Sequence, residues 1–295
     1  MLALSLPALA FSVGCAIAYS ASDYFRKAVP ATSGAALTLF YAFGLEAPVL
    51  GLWLWLSGDF RLTPDYALPG LAAAVIGLAA NILFLVAVRR SALSLMVPLL
   101  ALVPVLTTLL GGALLGEWPT PYQAVGIVVV TVGLFTLYLP PGRSPSPAVA
   151  WRNIRREPGA APMAGVALLW SVAPPIDKMC LAYSSVGVHG LVQLAILWSA
   201  LGLWLGLRGG LKAYALPPGA ARPLAGVALT AGLGYGLQLA AYQATLVAVV
   251  ELFKRTIGLV GSLILGRAFF QETVTGPKLV GLAIMAAGLP LVILG

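Results

Sequence analysis

Long uncharged runs constrain this chain more than any other feature. Windows of about 19 residues pick out ten of them, near residues 3–25, 34–57, 68–88, 92–115, 121–140, 160–181, 187–207, 223–243, 247–270 and 275–294. As helices, runs of about 20 residues cross a hydrocarbon core about 30 Å thick. Only 9 % of the 295 residues are charged, and the mean hydropathy is +0.99. A soluble domain carries about 25 % charge, so this chain cannot cover a water-facing surface. The runs do not alternate strictly over about 10 residues, which excludes an outer-membrane barrel. The expected class is an all-α membrane protein with ten transmembrane helices.

The connections are short except for "PPGRSPSPAVAWRNIRREPG", residues 140–159, which divides five runs from five. The two halves align. A shift of 155 residues puts Gly111 on Gly266, Glu117 on Glu272, Thr120 on Thr275, Gly126 on Gly281 and Gly133 on Gly288. A shift of 151 puts Gly14 on Gly165, Tyr19 on Trp170, Ser20 on Ser171 and Lys27 on Lys178. The expected organisation is an N-terminal five-helix repeat (1–140), a basic linker (141–159) and a C-terminal five-helix repeat (160–295).

An odd number of spans per repeat makes the repeats inverted across the membrane. The basic residues agree. The loops between spans 1–2, 3–4, 5–6, 7–8 and 9–10 hold thirteen of the 17 Lys and Arg, the opposite loops hold Arg61 and Lys178, and Lys254 and Arg255 lie inside the ninth run. By the positive-inside rule the linker is cytoplasmic and both termini face outward. The net charge of +8 then reports topology, and no nucleic-acid partner is expected. The N-terminus "MLALSLPALAFSVGCAIAYS" lacks a basic leader and reads as the first span.

Charges within the spans mark the candidate site. Glu251, Lys254 and Arg255, in "VVELFKRTIG", are spaced i, i+3, i+4 and share one helical face. Each would cost about 2.5–3.5 kcal/mol facing lipid, so they are expected to face the bundle. Gly258, Ser262 and Gly266 continue the helix as a small-residue stripe suited to close packing. Two readings stand: Glu251 neutralises a basic neighbour in a structural ion pair, or Lys254 and Arg255 line a substrate site. Glu46, in "FGLEAPVLG", is an intramembrane carboxylate and, with Glu251, a candidate for proton coupling; otherwise it pairs with a base elsewhere.

Asn81 and Gln238, with Gln193 as a weaker candidate, either bond across helices or line the cavity. Tyr19 and Trp170, at equivalent repeat positions, are an aromatic wall or packing. Asp23, Arg26, Lys27, Asp177 and Lys178, at span ends, read as interfacial anchors, with gating roles as the alternative. Pro174-Pro175 should break or bend the sixth helix, and Pro98 and Pro104 the fourth. Cys15 and Cys180 read as buried structural thiols, and His189, the single histidine, sits at a span edge with no metal-ligand spacing. There is no phosphate loop, and no cofactor or metal is expected.

The segments "GEWPTPYQAVGIVVVTVG" and "QETVTGPKLVGLAIMAAG" resemble the two EamA-type repeats of the drug/metabolite transporter superfamily. Each has a Glu closing the fourth helix, then Thr, then a glycine-spaced fifth helix. "VRRSALSLMVPLLALVPVL" is similar to that family as well. The resemblance implies a ten-helix, five-plus-five inverted-repeat transporter for small metabolites, amino acids, drugs, sugar nucleotides or sugar phosphates. It implies termini in the cytoplasm, opposite to the charge count. The sugar-phosphate and nucleotide-sugar branches carry Asn-x-x-Lys-Arg in the ninth helix, where the pair is associated with the substrate phosphate. Lys254 and Arg255 match that pair, Glu251 replaces the Asn, and Leu100 stands where the phosphate branch has a Lys.

The expectation is a secondary transporter of the cell (inner) membrane. It moves a small polar or anionic metabolite (amino acid, organic anion or phosphorylated compound) by alternating access, with proton coupling at Glu46 or Glu251. The site should be lined by spans 1, 3, 4, 6, 8 and 9 near the midplane. The partners are a small-molecule substrate and the bilayer, and the chain is a monomer or homodimer. The alternative is a flippase for a phospho-lipid-linked headgroup. An intramembrane enzyme is disfavoured because paired catalytic groups are missing.

Overall fold

The structure is a computed structural model that describes residues 5–90, 99–137, 157–209, 212, 214–270 and 275–294. The linker expected at 141–159 lies outside the described residues up to 156, and Glu272 and Pro98 lie outside them too. Among the described residues ten α-helices fall on the ten apolar runs: α1 (Leu6–Ala28), α2 (Gly34–Ser57), α3 (Ala67–Arg90), α4 (Val103–Leu115), α5 (Pro121–Leu137), α6 (Ala160–Tyr183), α7 (Val186–Gly209), α8 (Ala221–Ala244), α9 (Val247–Phe270) and α10 (Gly276–Leu294). Short 3-10 turns, Ala31–Ser33 and Pro64–Tyr66, lead into α2 and α3. Among the described residues the one β contact is an isolated bridge between Leu62 and Ser184.

Local chemistry explains the helix ends. Ser5 caps α1 by accepting from the Ala8 N–H at 3.3 Å, and Pro7 occupies the first turn, where a missing N–H costs nothing. Gly58 and Gly116 close α2 and α4 in the left-handed conformation, with φ of 63° and 70°. Pro104 sits in the first turn of α4, after a turn at Ala101–Leu102, so the fourth span is interrupted as the prolines require. The sixth behaves differently. α6 is one unbroken helix through Pro174 and Pro175, as α2 is through Pro48. A membrane helix tolerates such prolines because neighbouring helices and local adjustment re-satisfy the freed carbonyls, so the expected break is absent.

Helices α2, α3, α7, α8 and α10 are long and apolar enough to cross a membrane unaided. α1, α6 and α9 match them in length and carry the charged residues, while α4 and α5 are 13 and 17 residues long. The chain is an all-helical, multi-pass membrane protein.

The packing partners follow a rule. α1 packs on α8 and α9, α6 on α3 and α4, α2 on α7 and α8, α3 on α7, α4 on α9, and α5 on α10. For these pairs, exchanging α1–α5 for α6–α10 returns the same set, while the lesser contacts of α8 with α6 and α7 have no comparable counterpart among the described residues. Glycines set the closest of them. A Cβ on Gly126 would lie 2.9 Å from the Gly288 carbonyl oxygen, and one on Gly133 2.8 Å from that of Gly281. Thus α5 and α10 run antiparallel in backbone contact, with two glycines of each meeting two of the other. α9 approaches α1 through Gly261, whose Cβ would meet the Ser20 Oγ at 2.5 Å. Gly258, where the small-residue stripe was expected to begin, also meets α1: its carbonyl accepts from the Ser20 hydroxyl at 3.3 Å, while nothing lies within 4 Å of a Cβ there and the residue borders a cavity. The side chain of Ser262 and the surroundings of Gly266 lie outside what the structure describes.

Candidate functional site

Between the two sets of helices lies a cavity of about 530 Å³, lined by α1, α2, α3, α5, α6, α7, α8, α9 and, just before α4, Leu100 and Ala101. Spans 2, 5 and 7 therefore join the six expected from sequence. All eight residues singled out as substrate or coupling candidates are on its wall: Tyr19, Glu46, Asn81, Trp170, Gln238, Glu251, Lys254 and Arg255. Only two lining residues are exposed, Asp23 and Arg26 at the C-terminal end of α1. They mark the mouth, and they border the cavity rather than only anchoring a span end. The contact of Tyr24 with Phe269 puts this mouth at the C-terminal end of α9.

On α9 the three charges divide. Glu251, 1 % exposed, accepts from the Tyr242 hydroxyl at 2.7 Å and forms an ion pair with Lys254. Lys254 also donates to Gln238 Oε1 at 3.0 Å and lies 5.7 Å from the centre of the Tyr19 ring. Its ammonium is fully engaged by the protein. Arg255 is not. Its guanidinium stands 5.8 Å from the Trp170 ring centre, and its buried Nε has no hydrogen-bond partner. Each base thus rests on one of the two aromatic residues that the repeat alignment makes equivalent, an arrangement that stabilises a cation without neutralising it.

The other candidates are placed as follows. Asn81 donates to the Gly77 carbonyl of its own helix at 2.8 Å, so it makes no cross-helix bond through that group. Gln238 does both things foreseen: it reaches across to Lys254 and faces the cavity. Glu46 is 5 % exposed, and no hydrogen bond or ion pair engages its carboxylate among the described residues. Gln193, at the wall, donates to Gly70 O at 3.1 Å and to the Tyr66 hydroxyl at 3.3 Å.

The end of the cavity opposite the mouth is sealed by polar contacts. Lys178 pairs with Glu117 and donates to Thr245 O at 2.7 Å, while Glu117 accepts from the Val247 N–H at 3.3 Å. α4, α6 and the α8–α9 turn are tied by that knot. Arg61 adds bonds to the carbonyls of Leu181 (3.2 Å) and Ser184 (3.0 Å). Lys178 is therefore a fastening, where sequence position alone suggested an interfacial anchor. His189 lies in the first turn of α7, at the span edge expected, but its surroundings were not foreseen. It is wholly buried, with Nε2 3.2 Å from Asp177 Oδ1 and Nδ1 2.9 Å from the Tyr66 hydroxyl. The available signal was the i, i+4 spacing of His189 and Gln193, which puts two polar groups on one face of α7. Among the described residues no three His, Cys, Asp or Glu side chains gather to hold a metal ion.

Residues 6–139 match the sequence profile of the EamA-like transporter family, which belongs to the drug/metabolite transporter superfamily. A solved structure, described only as the crystal structure of a protein, is similar with a TM-score of 0.76 and 17 % identity over 98 % of each chain. At that identity the likeness concerns the fold alone. No curated protein matches the sequence.

Proposed function

We propose that this chain, whose residues 6–139 match the EamA-like transporter family, is a secondary transporter moving a small polar or anionic metabolite by alternating access. The observation that carries this reading is Arg255. A guanidinium at the wall of a cavity of about 530 Å³, with a buried, unpartnered Nε–H, has hydrogen-bonding capacity that a carboxylate or phosphate would satisfy. Lys254, already held by Glu251 and Gln238, raises the local potential without offering a free ammonium. One carboxylate or one phosphate fits better than a diphosphate. The volume suits a metabolite of modest size. Asn81, Gln238, Tyr19 and Trp170 supply the remaining wall, and Glu46, buried and unpaired, is the proposed coupling carboxylate alongside Glu251.

Alternating access follows from two five-helix repeats, 1–140 and 160–295, with opposite orientations. The exchange symmetry of the helix pairs and the antiparallel glycine contacts of α5 and α10 support that relation. A mouth at one end and the Lys178–Glu117 fastening at the other suit one of its two end states. The positive-inside count puts the mouth, beside Arg26 and Lys27, on the cytoplasmic face with the linker. A lipid-linked headgroup would need an opening through the lipid-facing surface. The exposed lining residues are instead both charged, which favours a soluble substrate.

A thermal-shift panel of amino acids, small carboxylates and organic phosphates on purified protein tests the site. A ligand at 100 times its Kd stabilises by about 2.7 kcal/mol. That gain should vanish in Arg255→Ala and weaken in Lys254→Ala. Full stabilisation in both variants refutes the assignment. A cysteine placed at position 147 should react with impermeant reagent only in inverted vesicles; reaction on intact cells refutes the orientation.

A further inference from the structure

The closed end of the cavity holds a second cluster that the anion reading leaves unused. Asp177 is on the cavity wall, and directly behind it His189, 0 % exposed, bridges Asp177 (3.2 Å) to the Tyr66 hydroxyl (2.9 Å), which accepts from Gln193 (3.3 Å). With a neutral imidazole the donors and acceptors have a self-consistent order. An ionised Asp177 only accepts, so His189 Nε2 carries the hydrogen. Nδ1 then accepts from the Tyr66 O–H, whose oxygen accepts from the Gln193 amide. The imidazole is one side chain away from the cavity.

We propose that the Asp177–His189 pair is a proton-binding site that sets the charge of the cavity's closed end. A proton arriving through the cavity is taken up by the pair. The imidazole gains it at Nδ1 as the Tyr66 hydroxyl turns away, and the imidazolium keeps its Nε2–H bond to Asp177. The pair's net charge goes from −1 to 0. Imidazole is the side chain suited to such a change near neutral pH, and this chain has one histidine. The surrounding groups leave the change uncompensated. Cys180 on α6 and Tyr235 and Tyr242 on α8 are within electrostatic reach of Asp177 and are ordinarily neutral. Lys178, next in sequence, is committed to Glu117 and Thr245 O, and Arg61 to two backbone carbonyls. Across the cavity stand Glu46, Glu251, Lys254 and Arg255. Neutralising the pair removes a negative charge from a cavity proposed to hold an anion, which couples proton uptake to anion binding.

The single histidine permits a direct test that needs no substrate. In full-length protein carrying 15N-histidine, in nanodiscs, one imidazole spin system is expected. It should be the Nε2–H tautomer near about pH 8 and convert reversibly to the doubly protonated form on acidification toward about pH 5. Tyr66→Phe, which removes only a hydroxyl, should admit the Nδ1–H tautomer. An imidazole that stays neutral over the whole range overturns the proposal. A second arm rests on the anion reading and uses sulfate, whose charge is constant over this range. Sulfate affinity should rise about threefold or more on acidification from about pH 8 to about pH 6, and this rise should be lost in His189→Gln. An undiminished rise in His189→Gln counts against the pair. If sulfate fails to bind at any pH, the anion reading fails while the imidazole titration still decides the proposal.

Discussion

The contact between α5 and α10 permits a matched pair of glycine substitutions whose effects should have opposite sign. A Cβ on Gly133 would lie 2.8 Å from the Gly281 carbonyl oxygen, 2.9 Å from the Met285 nitrogen and 2.6 Å from its Cγ. Two of these atoms are backbone, so the clash cannot be relieved by a rotamer change; the helices must separate. Overpacking of this kind costs about 1–3 kcal/mol. Gly51, inside α2, has nothing within 4 Å of where a Cβ would stand, and there alanine gains about 0.5–1 kcal/mol from reduced backbone freedom. Gly133→Ala and Gly51→Ala should therefore differ by about 1.5–4 kcal/mol, the sum of the two effects. Equilibrium unfolding in mixed micelles measures both. If Gly133→Ala is as stable as Gly51→Ala, the two helices do not meet at their backbones and the account of how the halves join is wrong.

Breaking the buried Glu251–Lys254 pair from one side should be worse than removing it. Glu251→Gln strands a partly buried ammonium and should lose about 3–5 kcal/mol, with the Glu251→Gln/Lys254→Met double variant recovering most of it; thermal melting checks the order. At the sealed end, Glu117→Gln frees Lys178 and should raise the reactivity of a cysteine at position 173 toward reagent supplied on the side opposite the mouth, several-fold by rate. No change there means the knot does not hold the cavity shut. Gly261→Ala should destabilise by about 1–3 kcal/mol through its clash with Ser20, and Ser20→Gly in the same chain should relieve it.

Much of the architecture was legible because membrane helices announce themselves by length and composition. The ten runs became ten helices, and the glycines that aligned between the halves, Gly126 with Gly281 and Gly133 with Gly288, proved to be the ones that touch. The candidate residues gathered around one cavity for a simple reason: a polar group in an apolar span has nowhere else to go. What sequence left open was the partner of each group. Whether Glu251 held Lys254 or Arg255 depends on side-chain direction, because i+3 and i+4 are both within reach. Lys178 and His189 looked peripheral, since their partners Glu117, Thr245, Tyr66 and Asp177 come from other helices. Gly258 read as packing and does meet Ser20 of α1 through its carbonyl, but that it also borders the cavity depends on the rotation of α9. Pro174-Pro175 read as a break or a bend, and the helix does not break there, because a bundle can satisfy the freed carbonyls.

The central claim, that Arg255 holds the anionic group of a transported metabolite, is tested most directly by counterflow into sealed proteoliposomes. The compound that best stabilises the wild-type protein serves as the tracer, and wild type, Arg255→Gln and the cavity-remote Arg208→Gln are compared at equal incorporation. Loss of one charge-assisted hydrogen bond of about 1.5–3 kcal/mol predicts a weakening of apparent affinity of roughly ten- to a hundredfold in Arg255→Gln, with Arg208→Gln unchanged. Equal counterflow in Arg255→Gln and wild type would contradict the claim.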